Sequence, residues 1–440
     1  NHKFGDYKPY VYKSNDGGKN WKNITEGIPD GFLCWRLVQD HVDKNLMFLG
    51  TEYGIYVSVN GGNKWVKFSS GLPTISIRDL AIQKRENDLI AATFGRGFYV
   101  LDDYSSLRFI SANSLKDNLV FTPRKALQYN PIRPGSSSQG SNTYYAKNPA
   151  YGAVFTFYMS DEILTKKQNR LKVEKDLEKT NSDIPFPGWE ELDEELNEKS
   201  PLTIIEIYDS ENSFVERLTF PYKKGFNRVS WDLSKKIRTH VSSGSSRFYS
   251  PSIRVSPGKY SFNIYTFYDG QVNKIGSKFF DVERIRSGVL DNPNKDKIEE
   301  YVIEIENTYN DFSVINSKFN KIKETNKSIL TLISRTKDYQ SFVDLYNSIQ
   351  NNINKIDVFI SGNKSKKDVR EKDIETISDR LSVAVRGFNS SYGPTKMHIM
   401  SLSKAKSLIL EYNDMVEDLS KNIDKLKNQL ESATELLILD

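Results

Sequence analysis

Apolar and polar residues alternate along the first hundred positions in short runs, which glycine, proline and asparagine separate. Runs of this kind predict β-strands joined by tight turns. One unit contains four such runs, at 36–40, 47–51, 55–59 and 65–68. Four short strands in about 40 residues are typical of one blade of a β-propeller.

A sequence repeat with an offset of 44 and then 43 residues supports this interpretation. YVYKSNDGGKNWKNITEGIP is followed by IYVSVNGGNKWVKFSSGLP, so that Ser14 aligns with Ser58 and Trp21 with Trp65. LGTEYGIYVSV (49–59) is followed in the same way by AATFGRGFYVLD (91–102). A last copy, FYVLDDYSSLRFI, lacks the glycines and the tryptophan, as terminal repeats often do.

Residues 1–112 therefore predict about two and a half blades, whereas closure of a propeller ring takes about four or more. An open fragment would expose unpaired strand edges and an apolar sheet face. We expect residue 1 to be an internal position of a longer polypeptide, with the missing blades and an export signal upstream.

The stretch SNDGGKNW, from Ser14 to Trp21, is interpreted as the turn between the third and fourth strands of a blade. Asp16 can accept hydrogen bonds from turn amides, and the glycines can adopt positive φ. The second copy has Asn60 in this place, and an amide can cap a turn but cannot act as a catalytic base. Trp21 is expected to anchor the outgoing strand between neighbouring sheets. The residues assigned to these structural turns are Ser14, Asp16, Gly18, Trp21, Ser58, Asn60, Gly62 and Trp65.

This stretch resembles the Asp-box, or BNR repeat, of sialidases, sortilin-type receptors and two-propeller xyloglucanases. The longer segment 71–103 is similar to the last blade of bacterial BNR, sortilin-like (Vps10-like) proteins known as glycosyl hydrolases. The resemblance implies an exported protein, which is secreted, periplasmic or on the cell surface of a bacterium. It also implies a helical tail, because the family is similar around the GPT sequence at 393–395.

The sequence pattern changes after residue 112 and predicts a linker over 113–150, which includes a Ser/Gly tract at 134–142. Strand patterns then return and predict a β-sandwich of Ig-like type over 151–288. KGFNRVSWDLS and SPGKYSFNIYTFYDG resemble the Ig-like module of the flagellar hook-capping protein. The charged segment 161–200 is predicted to be a partly helical surface insertion, and SSGSS (242–246) a loose loop.

From about residue 292 the spacing of apolar residues becomes helical and predicts an antiparallel four-helix bundle over 292–440. Helices are expected at 338–360 and 367–388, between two longer ones. An alternative use of the apolar stripes is docking onto the helices of a partner. The first long helix has a stripe at Ile298, Ile305, Phe312 and Phe319. The last helix has apolar residues in a 3-4 alternation at Leu402, Ala405, Ile409, Tyr412, Val416, Leu419, Ile423, Leu426, Leu430, Ala433 and Leu437.

Composition excludes several classes of partner and site. The 62 basic and 57 acidic side chains nearly balance, and no basic run with interleaved aromatics suggests nucleic acid. The single cysteine, Cys34, excludes an internal disulfide and a thiolate cluster, and the four histidines are too scattered to suggest a metal site. No cofactor is expected. The chain has no run of about 18 apolar residues, so no transmembrane segment is predicted.

Candidate chemistry is sparse. Glycoside hydrolysis normally uses two carboxyl groups about 5 to 9.5 Å apart. The candidates are Asp79, Glu52, which the next copy replaces with Phe94, and Asp102 and Asp103 at the end of a strand. Arg96, in FGRGF, is a candidate for binding an anionic group, or for pairing with an acid of a neighbouring blade.

Two hypotheses for function follow from this sequence. In the first, an exported propeller protein binds protein partners or polysaccharide and acts as a scaffold in an envelope or cell-surface assembly. In the second, the protein is a glycoside hydrolase whose catalytic carboxylates lie mostly on the missing upstream blades. The absence of an identifiable carboxylate pair in this sequence favours the first.

Overall fold

The structure is a computed structural model that describes residues 2–68, 71–111, 113–131, 146, 148–237, 252–286, 295–337, 339–371, 373–387 and 393–434. The chain divides into two compact units. The first comprises Asn1–Asp232 with Pro257–Ile285, and the second comprises Leu233–Ser256 with Arg286–Asp440. The first unit is rich in strands, whereas the second consists mostly of helices.

The N-terminal part of the first unit contains three antiparallel sheets, with their strands in chain order. The first sheet pairs β1 (Tyr12–Lys13) with β2 (Lys22–Asn23). The second has four strands, which are β3 (Cys34–Gln39), β4 (Met47–Thr51), β5 (Gly54–Ser58) and β6 (Val66–Phe68). The third has three, which are β7 (Ile77–Gln83), β8 (Asp88–Thr93) and β9 (Phe98–Leu101).

The sequence repeat is also a structural repeat. β3 and β7 each carry an irregularity in register at the same place, between Cys34 and Arg36 in one sheet and between Ile77 and Asp79 in the other. The residue after β4 donates its backbone N–H to Leu33 O at 2.9 Å, and the residue after β8 donates to Ser76 O, also at 2.9 Å. The second and third sheets therefore share one backbone plan.

Two apolar clusters join these sheets. Phe48 and Ile55 pack with Ile77 and Leu80 between the four-stranded and three-stranded sheets. On the other side, a cluster joins the four-stranded sheet to the first one and contains Val11, Ile24, Met47, Leu49, Tyr56 and Trp65. Gly50 allows β4 to approach β7 closely, since a Cβ there would lie 2.9 Å from Ile77 O.

Two further sheets of the first unit pack face to face. One has the order β10–β12–β15, and the other has the order β11–β19–β18–β13–β14. Their facing sides meet through aromatic rings, with centroids 4.4 Å apart for Phe155 and Phe262 and 5.9 Å apart for Trp231 and Tyr260. The strands are β10 (Leu119–Val120), β11 (Ala126–Gln128), β12 (Ala153–Met159), β13 (Leu202–Tyr208), β14 (Phe214–Pro221), β15 (Gly225–Trp231), β18 (Gly258–Tyr268) and β19 (Gln271–Arg284).

The charged segment between β12 and β13 contains two helices, α1 (Lys166–Lys179) and α2 (Trp189–Asn197). Arg170 ties them together through a hydrogen bond from Nε to Glu195 Oε1 at 2.7 Å. The segment expected to be a linker contributes two short strands to these sheets, since β10 pairs with β12 and β11 pairs with β19. The Ser/Gly tract 134–142 lies outside the described residues.

The second unit is built on helices that share one apolar core. Its short strands β16 (Ser234–Lys236) and β17 (Ser252–Arg254) pair with each other, and Ile237 and Ile253 beside them are buried in the helical core. This segment was expected in the sandwich over 151–288, but these residues belong to the second unit. The helices are α3 (Lys295–Ile333), α4 (Gln340–Ser361), α5 (Lys364–Asp368), α6 (Ile377–Arg386) and α7 (Lys396–Thr434).

The heptad stripes are buried. Ile305, Phe312 and Phe319 of α3 lie in the core, and so do the stripe residues of α7 from Leu402 to Leu430. Ala433 is exposed. The helix expected over 367–388 is interrupted, because Thr376 and Asp379 form a capping box that begins α6. The loop at 242–246, Leu437 and the expected boundary at 292 lie outside the described residues, and no described helix is long and apolar enough to cross a membrane.

Candidate functional site

Glu52 lies at the turn between β4 and β5, where three donors converge on one of its two carboxylate oxygens. Oε2 accepts hydrogen bonds from Trp35 Nε1 at 2.8 Å and from Ser76 Oγ at 3.1 Å. Arg78 Nη2 lies 3.6 Å from the same oxygen. Oε1 makes no hydrogen bond or ion pair with any described residue, so the carboxylate is held in place with one acceptor left open.

Arg78 lies between two aromatic rings beside this carboxylate. Its guanidinium carbon is 4.0 Å from the ring centroid of Trp35 and 5.2 Å from that of Phe94. Contacts of this kind between a cation and a ring face contribute about 0.5 to 2 kcal/mol. We call Trp35, Glu52, Ser76, Arg78 and Phe94 the Glu52 cluster.

The Glu52 cluster is open to solvent on the side of Phe94. The Phe94 side chain is 69% exposed, whereas Ser76 is buried. Arg96 lies two residues further on, in the tight connection between β8 and β9, where Thr93 N donates to Gly97 O at 3.0 Å. Arg96 is exposed and has no hydrogen-bond or ion-pair partner among the described residues. The open acceptor Glu52 Oε1, the exposed ring of Phe94 and the exposed cation of Arg96 therefore lie close together.

Sequence reasoning identified Glu52, Phe94 and Arg96 but missed the partners of Glu52. Trp35 and Arg78 occupy equivalent positions in consecutive repeats, 43 residues apart, and Glu52 and Phe94 are likewise equivalent, 42 residues apart. If consecutive repeats are assumed to form neighbouring sheets, aligning them places these four side chains at the same end of those sheets. The sequence alone does not show that consecutive repeats lie side by side.

Asp102 and Asp103 lie at the other end of the three-stranded sheet. Their main-chain carbonyl oxygens accept hydrogen bonds from Nη1 and Nη2 of Arg228, each at 2.6 Å. The Asp103 carboxylate accepts from Ser105 Oγ at 2.5 Å, and Asp103 N donates to Asp88 Oδ1 at 2.9 Å. Burial, with the nearby Asp88 carboxylate, raises the pKa of Asp102 despite the opposing charge of Arg228.

The structure does not bring these two acidic sites together. Asp88 begins β8 and hydrogen-bonds to Asp103, while Phe94 follows the end of β8 and lies in the Glu52 cluster. A strand of six residues spans about 20 Å. Because the two sites adjoin opposite ends of β8, we infer that the Glu52 and Asp103 carboxyl groups are separated by about the length of this strand, well beyond the separation of about 5 to 9.5 Å between carboxyl groups of a glycosidase.

Both SNDGG-type turns have the same hydrogen-bond pattern. Ser14 Oγ accepts from Gly18 N at 2.8 Å, and Ser58 Oγ accepts from Gly62 N at 3.0 Å. The residue two positions after each serine, Asp16 or Asn60, accepts through its Oδ1 the backbone N–H four residues ahead, at 3.0 Å in each copy. Hydrogen bonds from the backbone and side chain of Asn20 and from Ser14 lower the pKa of Asp16 to about 2. The contacts of Asp16 Oδ1 and Asn60 Oδ1 are thus the same, while Asp16 Oδ2 alone also accepts from Asn20 Nδ2, at 2.7 Å.

The two tryptophans of these turns differ. Trp65 is buried at 2% exposure and donates from Nε1 to Ile24 O at 2.6 Å. Trp21 is 62% exposed, and its Nε1 donates to Gly18 O within its own turn. The expectation that Trp21 anchors a strand between sheets is therefore wrong for the described residues. Trp65 packs against Ile24 of the preceding repeat, whereas Trp21 has no such neighbour among the described residues.

A buried polar cluster beside the three-stranded sheet was not recognised from the sequence. The Asp40 carboxylate is fully buried and accepts from Tyr104 Oη at 2.6 Å and from Arg108 Nε at 2.8 Å. Arg108 Nη2 donates to Asp40 Oδ1 and also to Asn87 Oδ1, at 2.9 and 2.6 Å. Because the Asp40 carboxylate is fully buried and its partners lie within the fold, we assign this cluster to stability.

The described residues contain no group of His, Cys, Asp and Glu side chains arranged to hold a metal ion. Cys34 is half-buried, and burial raises the pKa of its thiol. A thiol whose pKa is raised is a weak nucleophile and a weak metal ligand.

The sequence matches no known protein family and no curated protein. Among solved structures it is similar to the extracellular domain of a putative one-component system from B. thetaiotaomicron, at 12% identity, with a TM-score of 0.18, covering 63% of this chain and 28% of that one. It is also similar to the extracellular domain of a putative hybrid two-component system of the same organism, at 9% identity, with a TM-score of 0.18, covering 62% of this chain and 29% of that one. The similarity to an ancestral GH74 enzyme has 14% identity and a TM-score of 0.18, and it covers 66% of this chain and 37% of that one. The chain thus spans well under half the length of each of these structures, and TM-scores of this size do not establish a shared fold.

Proposed function

We propose that residues 1–112 form the last blades of an Asp-box β-propeller in an exported bacterial protein that binds protein partners or polysaccharide as a scaffold of an envelope or cell-surface assembly. The repeated backbone plan of the second and third sheets supports the propeller. The two-stranded β1–β2 sheet, whose strands match β5 and β6 in sequence, supports a third copy of the same repeat. Residues 151–288, as an Ig-like sandwich, and 292–440, as a four-helix bundle, would add interaction modules.

The contacts and positions of the Glu52 and Asp103 carboxylates favour binding over catalysis. Glu52 Oε2 receives three donors, and the Asp103 carboxylate holds its own turn. These groups lie at opposite ends of a strand, so they cannot act on one glycosidic bond. The Glu52 cluster instead offers what a binding site needs, which is an apolar ring with a few fixed polar groups.

The contacts suggest how a ligand would be held. A hydroxyl or amide N–H can donate to Glu52 Oε1, because the three donors on Oε2 fix the orientation of the carboxylate. The exposed face of Phe94 can cover an apolar ligand surface, and Arg96 can pair with an anionic group or donate a hydrogen bond to a carbonyl oxygen. We propose Arg96 and Phe94 as ligand contacts and Glu52 as the fixed acceptor.

Hydrolysis remains the second candidate because Glu52 Oε1 is open. A carboxyl group from a blade ahead of residue 1 could face it across a glycosidic bond. In that case Glu52 would be one member of the catalytic pair, and Asp102 and Asp103 would have no part in the reaction.

A retention experiment distinguishes these functions. The immobilised protein is presented with soluble plant and bacterial polysaccharides and with purified envelope proteins, and release of reducing sugar is measured in parallel. We expect retention without sugar release, and a loss of about tenfold in affinity for Phe94→Ala, since exposed aromatic anchors dominate binding energies. Phe279→Ala is the matched control, because Phe279 is 78% exposed in another sheet. Sugar release that Glu52→Gln abolishes would establish the hydrolase instead.

A further inference from the structure

The Glu52 cluster contains a guanidinium group that is held in place but has no hydrogen-bond acceptor among the described residues. Arg78 lies between the rings of Trp35 and Phe94, with its guanidinium carbon 4.0 and 5.2 Å from their centroids. Glu52 Oε2 is 3.6 Å from Arg78 Nη2, which is too long for a hydrogen bond. The Arg78 side chain is 39% exposed, so the donors of a fixed guanidinium are available to a ligand.

The acid that follows Arg78 in the sequence does not neutralise it. Asp79 Oδ1 lies 3.2 Å from Nε of Arg36 in β3, so these two side chains form an ion pair of their own. Within the described part of the chain, Glu52 is the only carboxylate at ion-pair distance from Arg78. Arg96 adds a second cation, which is exposed and unpaired among the same residues. The positive charges of Arg78 and Arg96 therefore exceed the single negative charge of Glu52.

An anionic group is the ligand that suits these cations. A guanidinium group binds a carboxylate through two parallel N–H donors, and such charge-assisted hydrogen bonds are stronger than neutral ones. The two rings beside Arg78 restrict its side chain before a ligand arrives, so less conformational entropy is lost on binding. Glu52 competes weakly for Arg78, because Trp35 Nε1 and Ser76 Oγ already donate to the same oxygen, Oε2.

The groups beside these cations match the rest of a sugar acid. Phe94 is 69% exposed, and Glu52 Oε1 has no partner among the described residues. One uronic acid unit carries C–H groups that can pack on an aromatic ring, hydroxyl groups that donate hydrogen bonds, and one carboxylate. A neutral sugar lacks the carboxylate and leaves the two arginines without an acceptor.

The backbone around the cluster is not available to a peptide main chain. Glu52 N donates to Leu33 O and Phe94 N donates to Ser76 O, each at 2.9 Å. Tyr53 N is also engaged, within its own turn. Extended peptides and peptide termini are recognised largely through main-chain hydrogen bonds. A site that offers side-chain groups only therefore favours a polysaccharide over an acidic peptide.

We propose that the Glu52 cluster binds a uronic acid unit of an acidic polysaccharide, and that Arg78 determines this specificity. Arg78 and Arg96 bind the sugar carboxylate, Phe94 packs against the sugar ring, and Glu52 Oε1 accepts a hydrogen bond from a hydroxyl group. This inference rests on the proposed binding function of the cluster and names the class of its ligand.

Matched pairs of oligosaccharides test this proposal. Oligogalacturonate and oligomannuronate are each compared with their own methyl ester, which has the same sugar units but no negative charge. The affinity of the full-length protein for each is measured by titration calorimetry, with polyglutamate as an anionic peptide. We expect at least one of the two uronate oligomers to bind about tenfold or more tightly than its ester and than polyglutamate, in line with charge-assisted hydrogen bonds to the carboxylate.

Three variants separate recognition of the carboxylate from attraction to the net charge of +5. Arg78→Lys keeps the charge but loses the planar fork of donors, and Arg96→Ala removes one cation. Each should weaken binding of the uronate oligomer about tenfold and leave the weaker binding of the ester unchanged. Arg85→Ala is the matched control, because the Arg85 side chain is 81% exposed in the turn after β7, at the other end of the sheet. This variant should change neither affinity.

The inference is overturned if neither uronate oligomer binds, or if each binds no more tightly than its ester. An equal loss with Arg85→Ala also overturns it, since the binding is then a non-specific attraction between opposite charges. Binding of polyglutamate that matches or exceeds that of the uronates overturns it in favour of an acidic peptide. These outcomes do not overturn the proposed binding function, which fails only if the retention experiment finds neither polysaccharide nor envelope protein bound.

Discussion

Replacing Asp40 with asparagine is expected to destabilise the first unit by about 3 to 5 kcal/mol, the usual cost of breaking a buried ion pair. The Asp40 side chain is fully buried, and that of Arg108 is only 14% exposed. The carboxylate accepts two hydrogen bonds from Arg108, one from Tyr104 and two from the backbone N–H groups of Val42 and Asp43. An amide would turn donors toward the guanidinium or leave Arg108 as an unpaired buried cation.

The same replacement should change the response to acid. Burial opposes the charged form of Asp40, but the hydrogen bonds from Arg108 and Tyr104 outweigh it and lower the pKa. A carboxyl group with a lowered pKa in the folded state stabilises the protein above its unfolded value of about 4 and loses this contribution as the pH falls toward the folded value. The difference in stability between wild type and Asp40→Asn should therefore be largest near pH 7 and shrink below about pH 4.

The tryptophans allow this effect to be assigned to one unit. All five, Trp21, Trp35, Trp65, Trp189 and Trp231, belong to the first unit. Urea unfolding followed by tryptophan fluorescence reports on that unit, while circular dichroism at the helical minimum is dominated by the second. We expect the fluorescence midpoint to fall and the helical transition to stay in place. Asp176→Asn on the surface of α1, whose partner Lys179 is also exposed, is the control and should change neither. If the shift of the fluorescence midpoint corresponds to a loss of less than about 1 kcal/mol in the free energy of unfolding, the assignment of Asp40 to stability is refuted.

Other substitutions test the repeat and the helical core. Gly27→Ala should destabilise the first unit by about 2 kcal/mol or more, because Gly27 has φ +95° and a Cβ there would lie 2.3 Å from Trp65 O. Gly17→Ala, at φ +71° with open space around it, should cost about 1 kcal/mol in the same urea titration, and equal effects would contradict the close packing of the two repeats. In the second unit, Tyr412→Ala should cost about 3 to 5 kcal/mol by circular dichroism, because the ring is fully buried. Tyr412→Phe should cost under about 1 kcal/mol, since the hydroxyl makes only a 3.5 Å contact with Asn316, and a large loss would mean that this contact matters more than the ring.

The local features of the fold could be predicted from the sequence. Strand positions such as Met47–Thr51 follow from period-2 alternation, and the buried stripe of α7 follows from its heptad spacing. The turn chemistry of Ser14 and Ser58 depends on contacts within five residues, and this is why both copies could be interpreted from the sequence alone.

Features that depend on distant contacts could not be predicted. Asp40 meets its partners 64 and 68 residues away, and nothing near Asp40 in the sequence identifies Tyr104 or Arg108. Ile237 and Ile253 lie in strand-like sequence, yet they are buried in the helical core. A pattern of alternation specifies which residues face inward, but not which neighbouring element covers them.

Only part of the candidate site could be predicted from the sequence, for the same reason. Glu52 and Phe94 could be singled out because the repeat exchanges one for the other. Their meeting around Arg78 requires consecutive sheets to lie side by side, and this comes from tertiary packing. The distance between Glu52 and Asp103 likewise depends on which ends of β8 they occupy.

The separation of these two carboxyl groups is the most direct test of the proposal that Glu52 and Asp103 do not form a catalytic pair. A crystal structure of the protein should place the Glu52 and Asp103 carboxyl carbons about 20 Å apart, at opposite ends of the β7–β9 sheet. Carboxyl groups found about 5 to 9.5 Å apart across a shared cleft would contradict the account and restore a catalytic pair.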